Sequence, residues 1–337
     1  MQPSEPSYSI PSLPNQGGSP FAGVICVRSM ENIGLGLDHV KSFIPGESLG
    51  DASLSAGFSV IDRASSIKPP DKIKAAAQLI WFHQQFKESM PKIIGVETEH
   101  DVDIPGTDYR FHFRTDLETE NPFSDDPLMV WDYKTIALYQ TNNKAALTRY
   151  WSHSFQVAWY CWALGLPFMR MLFLPKPTTR TSGKSIDQVM AQVMEEMSEG
   201  VWAFTIDVYP NVPASVIQEE LMTTVENMEC IKEEGKSSAL KNRSACKSCG
   251  FQPVCSESEF YLNDPEHFVD KIPAHEDGKY ISVSQAGVFH SCNRKWFHSY
   301  VDLKKPVSFK AHAMAYGAVV HDALEAWGKV IKEEQNG

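Results

Sequence analysis

The chain has 337 residues, 42% of them hydrophobic and 22% charged, a globular composition that excludes a disordered or fibrous protein. Its formal net charge of −11 argues against a protein whose main task is to coat nucleic acid, although a local basic groove stays compatible with that total. There are seven cysteines, an odd number, four of them between residues 246 and 292, and the first 20 residues lack a basic start followed by an apolar run; metal ligation is therefore a better reading than a disulfide framework.

Residues 1–20, rich in Ser and Pro, read as a flexible tail, and 21–68 show no assignable pattern. Residues 71–86 have the apolar spacing of a helix. Tyr109 to Asp116 alternates aromatic and polar residues and predicts a strand; a polar loop over 120–127 leads to a second strand, Leu128 to Thr135. Ala145 to Leu164 reads as one mostly buried helix and Phe168 to Leu174 as a third strand. The apolar run 155–174 does not predict a membrane span, because Gln156, Arg170 and the Gly165-Leu166-Pro167 break interrupt it. A basic loop over 175–186, carrying Lys176, Arg180 and Lys184, precedes two amphipathic helices over 186–197 and 216–234. The cysteine cluster follows, then a linker over 273–280 and two helices from Ser282 to about Lys332. A soluble, cytoplasmic protein is expected.

Asp132 and Lys134 lie two apart on a predicted strand and so share a face. Asp116, at the end of the preceding strand, is placed to join them. Two converging carboxylates beside a lysine suit a hard divalent cation and a phosphate. Asp116, Asp132 and the backbone carbonyl of Tyr133 would hold the cation, which would polarise a phosphodiester and acidify a bound water. Lys134 would orient that water or stabilise developing negative charge. Gln156 and Tyr160 share one face of the following helix.

Cys246, Cys249 and Cys255 have the spacing C-x₂-C-x₅-C, and Cys292 is the best fourth ligand. The spacing fits zinc or an iron–sulfur cluster and does not choose between them. Cys26, Cys161 and Cys230 stand alone and read as ordinary thiols.

The run Arg114-Thr-Asp116, Val130-Trp-Asp132-Tyr-Lys134-Thr135 and Gln156-Val-Ala-Trp-Tyr160 resembles the PD-(D/E)XK nucleases, and within them the RecB-type branch. The resemblance implies a restriction-endonuclease-like α/β fold, a mixed central sheet flanked by helices, over residues 69–240. It implies phosphodiester hydrolysis with Mg²⁺ or Mn²⁺ and an acidic residue before Asp116, for which Glu97 and Glu99 are both candidates. Ile281 to Tyr300, around Cys292, resembles the helix that supplies the fourth cysteine of an AddB-like [4Fe–4S] cluster, with Asn293 where Pro is usual; zinc remains the alternative. Gly317-Ala-Val-Val-His321 resembles a G-x-x-x-H motif whose His ligates the catalytic metal, against a plain reading of His321 as a helix-surface residue. Residues 241–337 would then be an iron–sulfur subdomain plus helices that in the family come first. A circular permutation explains that order; a subunit-swapped oligomer or the start of a second module are the other accounts.

Arg294, Lys295, Lys304, Lys305 and Lys310, interleaved with Trp296, Phe297 and Tyr300, suit single-stranded DNA, or else a helix end with its aromatics in the core. The expected activity is an exonuclease on single-stranded DNA or DNA ends, serving recombination, repair, phage DNA processing or CRISPR adaptation beside recombination or replication proteins. The rival functions are an inactive DNA-binding scaffold and a zinc-binding interaction module.

Overall fold

β-branched and aromatic residues in period-2 runs supply the centre of the fold. The computed structural model describes residues 51–121, 127–180, 182–199, 203–256, 262–271, 279–307 and 312–337. The expected tail, Cys26, Lys310 and nearly all of the expected linker lie outside the described residues.

Two helices, α1 (Ala52–Arg63) and α2 (Pro69–Phe86), lead into β1 (Ile93–Asp103), β2 (Arg110–Glu120) and β3 (Leu128–Ala137). After a 3₁₀ turn (Leu138–Asn142) come α3 (Lys144–Ser152), α4 (Phe155–Leu164), β4 (Met169–Lys176), α5 (Ile186–Glu199), β5 (Phe204–Val208) and α6 (Ala214–Glu234). The cysteine segment holds a 3₁₀ turn (Arg243–Ser248) and α7 (Gln252–Ser256). Then follow β6 (Phe268–Asp270), β7 (Tyr280–Ile281), α8 (Val283–Ser291), α9 (Asn293–Trp296), a π turn (Phe297–Val301), β8 (Lys304–Pro306) and α10 (His312–Asn336).

The main sheet has the order β1-β2-β3-β4-β5, with β7 beside β2. It is mixed: β1, β2 and β3 are antiparallel in turn, β3 and β4 parallel, β4 and β5 antiparallel, and β2 and β7 parallel. One face is covered by α1, α2, α5 and α10, through side chains such as Phe58, Phe82, Val193 and Trp327. The other is covered by α4, α6 and α8, through Trp159, Leu221 and Phe289. β6 and β8 form a separate antiparallel pair. Among the described residues no helix is long and apolar enough to cross a membrane.

Several elements differ from the sequence reading, among them the short strands β6, β7 and β8, which it did not contain. α1 lies inside the region that shows no pattern; Asp51 caps it, accepting from the backbone N–H groups of Ser53 (2.9 Å) and Leu54 (3.2 Å). β1 and β5 were not expected. Both are sheet edges, where charge such as Glu99 and Asp101 is tolerated and masks the apolar alternation. The single helix expected over 145–164 is two. Ser154 caps α4 by accepting from the N–H of Gln156, and Ser152 bonds back to Arg149 O at 2.9 Å; these local bonds compete with a continuous helix.

α10 is laid close against the sheet. A Cβ on Gly317 would meet Thr135 Oγ1 at 2.8 Å, so only glycine lets the helix approach β3 there. Its far end is anchored too: Gln335 Oε1 accepts from Ile93 N–H at 2.7 Å, and Glu334 lies 3.7 Å from Lys87 Nζ, which also pairs with Asp51. The start of α1 and the end of α10 therefore meet at one lysine.

Candidate active site at a strand fork

β2 and β3 pair only from Leu117 opposite Trp131 to Glu120 opposite Leu128. Beyond Leu117 the strands part. Phe113 enters the core on the α4 side, whereas Leu117, at the same parity, enters the core on the α10 side. Strict alternation would send both one way, so β2 shifts phase around Asp116. Polar backbone groups in such a fork need other partners. Asp116 Oδ2 accepts from the N–H of Tyr133 at 2.7 Å, and the Tyr160 hydroxyl donates to Arg114 O at 3.1 Å. Two of the expected site residues thus complete the strands where the sheet opens.

On the α10 side, His321 Nε2 lies 3.0 Å from Asp116 Oδ1 and 3.3 Å from Glu97 Oε1. Glu97, Asp116 and His321 can bring one ligand atom each within 4.8 Å of one another. Glu97 occupies the position across from Asp116, between the pairs Val96–Leu117 and Thr98–Thr115; Glu99 instead sits opposite Arg114. Glu97 has φ +52°, a left-handed backbone that costs a non-glycine residue about 1–3 kcal/mol and that concentrates at functional sites. Burial raises its carboxyl above the usual range against the pull of His321 and Arg114, whose Nε lies 2.6 Å from Glu97 Oε2. Burial alone would depress the His321 imidazole. The hydrogen bond and charge of Asp116, with Glu97 and Asp132, outweigh it and raise the group to about 9. Two carboxylates and one imidazole converging this closely fit a hard divalent metal.

Asp132 is on the other side of the fork and only 2% exposed. Its carboxylate accepts from Gln156 Nε2 and pairs with Lys134 Nζ. Burial, with the charge of Asp116, pushes it up to about 6 against the pull of Lys134 and Gln156. The Lys134 ammonium stands 5.2 Å from the centre of the Trp151 ring. Tyr160 is packed on Phe113, its ring 4.4 Å away, and burial raises its hydroxyl well above the ordinary value, so it acts as a neutral donor. Of Tyr133, whose carbonyl was the expected ligand, it is the N–H that bonds to Asp116. Asp116, Asp132, Lys134, Gln156, Tyr160 and His321 are thus gathered at one fork. Glu97 and its partner Arg114 join them.

The PD-(D/E)XK nuclease superfamily matches residues 54–256. The chain belongs to that superfamily, and the mixed sheet flanked by helices is the architecture its restriction-endonuclease-like members share. No curated protein matches the chain. No solved structure matches it either.

A second feature lies beyond the strands. Cys246, Cys249, Cys255 and Cys292 line one small cavity, with Lys241 and Lys295 at its wall. The N–H of Asn242 points at Cys292 Sγ at 3.4 Å, and Arg294 Nε donates to Ala239 O at 3.0 Å, so α9 is clamped to the cysteine segment. Burial raises the Cys255 thiol, with Cys249 and Cys292 adding to it against Lys241 and Arg294. Among the described residues no three of these thiols lie within 4.8 Å of one another.

The expected DNA-contacting residues are divided by the fold. Lys295 lines the cysteine cavity, Arg294 is bonded to Ala239 O, Lys304 pairs with Asp270 at 2.7 Å, and Lys305 is exposed. Trp296 and Phe297 are core residues, not a stacking platform.

Proposed function

We propose that this protein is a Mg²⁺- or Mn²⁺-dependent deoxyribonuclease acting on single-stranded DNA or DNA ends, with its metal held by Glu97, Asp116 and His321 and with Asp132 beside them. The observation that carries the reading is His321, delivered by α10 to within 3.0 Å of Asp116 and 3.3 Å of Glu97. When bound, the cation would supply Lewis-acid polarisation of the scissile phosphate and a more acidic water. The protein's own residues prepare the rest. Gln156 and Lys134 orient the Asp132 carboxylate from two sides. Lys134 places a positive charge beside the fork, where the attacking oxygen and the phosphate gather negative charge. Tyr160 keeps β2 in position by holding the Arg114 carbonyl.

The RecB-type, AddB-like reading extends to the cysteines. Four thiols on one small cavity can take either a tetrahedral zinc or an iron–sulfur cluster. The resemblance favours a [4Fe–4S] cluster, with zinc as the alternative, and either would brace α9 against the 239–249 segment. The circular permutation is supported by three features. Cys292 sits with the other three cysteines, His321 with Asp116, and the ends of α1 and α10 with Lys87.

The test is cleavage of end-labelled single- and double-stranded DNA with Mg²⁺ or Mn²⁺. Metal-dependent cutting is expected, falling about 100- to 1,000-fold in Lys134→Ala. A folded protein that cuts neither substrate with either metal would be a binding scaffold instead. Iron and sulfide in the purified protein, with absorption near ~400 nm, would support the cluster, and zinc alone would remove it.

A further inference from the structure

From Tyr133 to Ile186 the sequence has no Asp or Glu, although the whole chain has 42, and it has seven Lys and Arg residues. This acid-free stretch starts one residue after Asp132. The fold gathers part of it into an open groove lined by Tyr139, Asn142, Lys144, Lys176, Thr178 and Phe204. β3 runs straight into the groove: Ala137, on its lining, is three residues past Lys134, about 10 Å along an extended strand.

Three side chains shape the groove chemically. Tyr139 is 77% exposed, an aromatic ring offered to solvent on the 3₁₀ turn. The Lys144 ammonium rests 4.6 Å from the centre of the Phe204 ring, and that of Lys176 lies 4.1 Å from the centre of the Tyr316 ring. Lys176 also has Asp71 at 3.6 Å. Arg170, from the same stretch, is spent on Asp207 through bonds of 2.6 and 2.8 Å.

We infer that this groove is the track of a single DNA strand leading to the fork, with Tyr139 stacking on a base and Lys144 and Lys176 facing phosphates. The inference deepens the nuclease reading and rests on it for the position of the cut. A single strand suits the groove better than a duplex. A duplex keeps its base faces stacked on one another and gives an isolated exposed ring nothing to meet, whereas unpaired bases of any sequence stack on aromatic side chains. The stretch itself sets no carboxylate against a phosphate backbone, and two that reach the groove from elsewhere are engaged, Asp71 with Lys176 and Glu196 with the N–H and hydroxyl of Thr178 at 2.7 and 2.6 Å.

The test is fluorescence anisotropy of a dye-labelled oligothymidylate and of a blunt hairpin duplex, in EDTA so that nothing is cut. Tyr139→Ala is expected to weaken oligothymidylate binding about tenfold while changing duplex binding less than twofold, and Tyr139→Phe is expected to bind as the parent does. Lys144→Ala is expected to lower the slope of log affinity against log salt by about 0.7. Tyr139 is at the surface, so its loss does not endanger folding. The inference is overturned if Tyr139→Ala binds oligothymidylate normally, if it loses both ligands equally, or if the parent binds neither. Because binding is read without metal, a parent protein that binds but never cuts with Mg²⁺ or Mn²⁺ refutes the nuclease and leaves the groove standing.

Discussion

Glu97 is held in a left-handed backbone, buried, and aimed at His321. If it is a metal ligand, its charge matters more than its shape. Losing even outer partners of a metal site costs about 10–100-fold in affinity. Glu97→Gln is therefore expected to weaken Mn²⁺ binding at least about tenfold by calorimetry, and unchanged affinity would remove Glu97 from the site. Tyr160 makes a different kind of contribution. Tyr160→Phe deletes the hydroxyl that bonds Arg114 O and Gln156, and is expected to cost about 1 kcal/mol in denaturant unfolding. Strand and helix periodicity put Asp132 with Lys134 and Gln156 with Tyr160 on common faces, and the resemblance to the nuclease motifs is what joined them to Asp116. The choice of Glu97 over Glu99 was also within reach. The turn Pro105-Gly106-Thr107-Asp108 centres a hairpin, and counting outward from it pairs Asp116 with Glu97 and Arg114 with Glu99. What no periodicity carries is the phase shift of β2 at Asp116, since it depends on two cores lying on opposite faces.

The elements that carry the site depend on close fits. Gly317→Val should drive α10 away from Thr135 and carry His321 with it. Loss of cleavage with retained helical content by circular dichroism is the expected result. The smaller pair Gly317→Ala with Thr135→Ala should recover activity that Gly317→Ala alone loses, and failure of that rescue would show that the glycine serves something other than clearance. At the start of α1, Asp51→Ala removes a cap and an ion pair with Lys87, and should lower unfolding stability by about 1 kcal/mol. Helix existence was legible in the sequence for α2, α5 and α6, which are long and periodic. The break between α3 and α4 was not, because it is decided by hydrogen bonds of Ser152 and Ser154 rather than by apolar spacing.

At the scale of the whole molecule, the face that holds α10 contains its own titrating centre. His83 Nδ1 accepts from Trp327 Nε1 at 3.1 Å, and Asp51 lies 3.6 Å from its Nε2. Burial keeps the imidazole below its ordinary value, although Asp51 pulls the other way. The folded protein therefore resists a proton that the unfolded chain accepts, and stability falls as pH drops below about 6.5. The Asp51 carboxyl is also buried, yet Lys87, Ser53 and the Leu54 N–H hold it down at about 2. Its contribution is present above about pH 4 and lost as pH falls toward 2. His83→Gln keeps an acceptor for Trp327 and should flatten the decline of the thermal midpoint between pH 6.5 and 5 relative to the parent; an identical decline would place the titration elsewhere. The proposed permutation is tested by rebuilding the chain with residues 279–337 first, joined by a short linker to residue 51. Folding and metal-dependent cutting should survive, since α1 and α10 already meet at Lys87. The same arrangement orders events in time. On the ribosome, Glu97, Asp116, Asp132 and Lys134 emerge well before His321 and Trp327. A nascent chain therefore carries the acidic half of the proposed metal site before its imidazole, and with the Trp327 side of its core unsealed. The proposed metal site is therefore completed only when α10 takes its place beside β3.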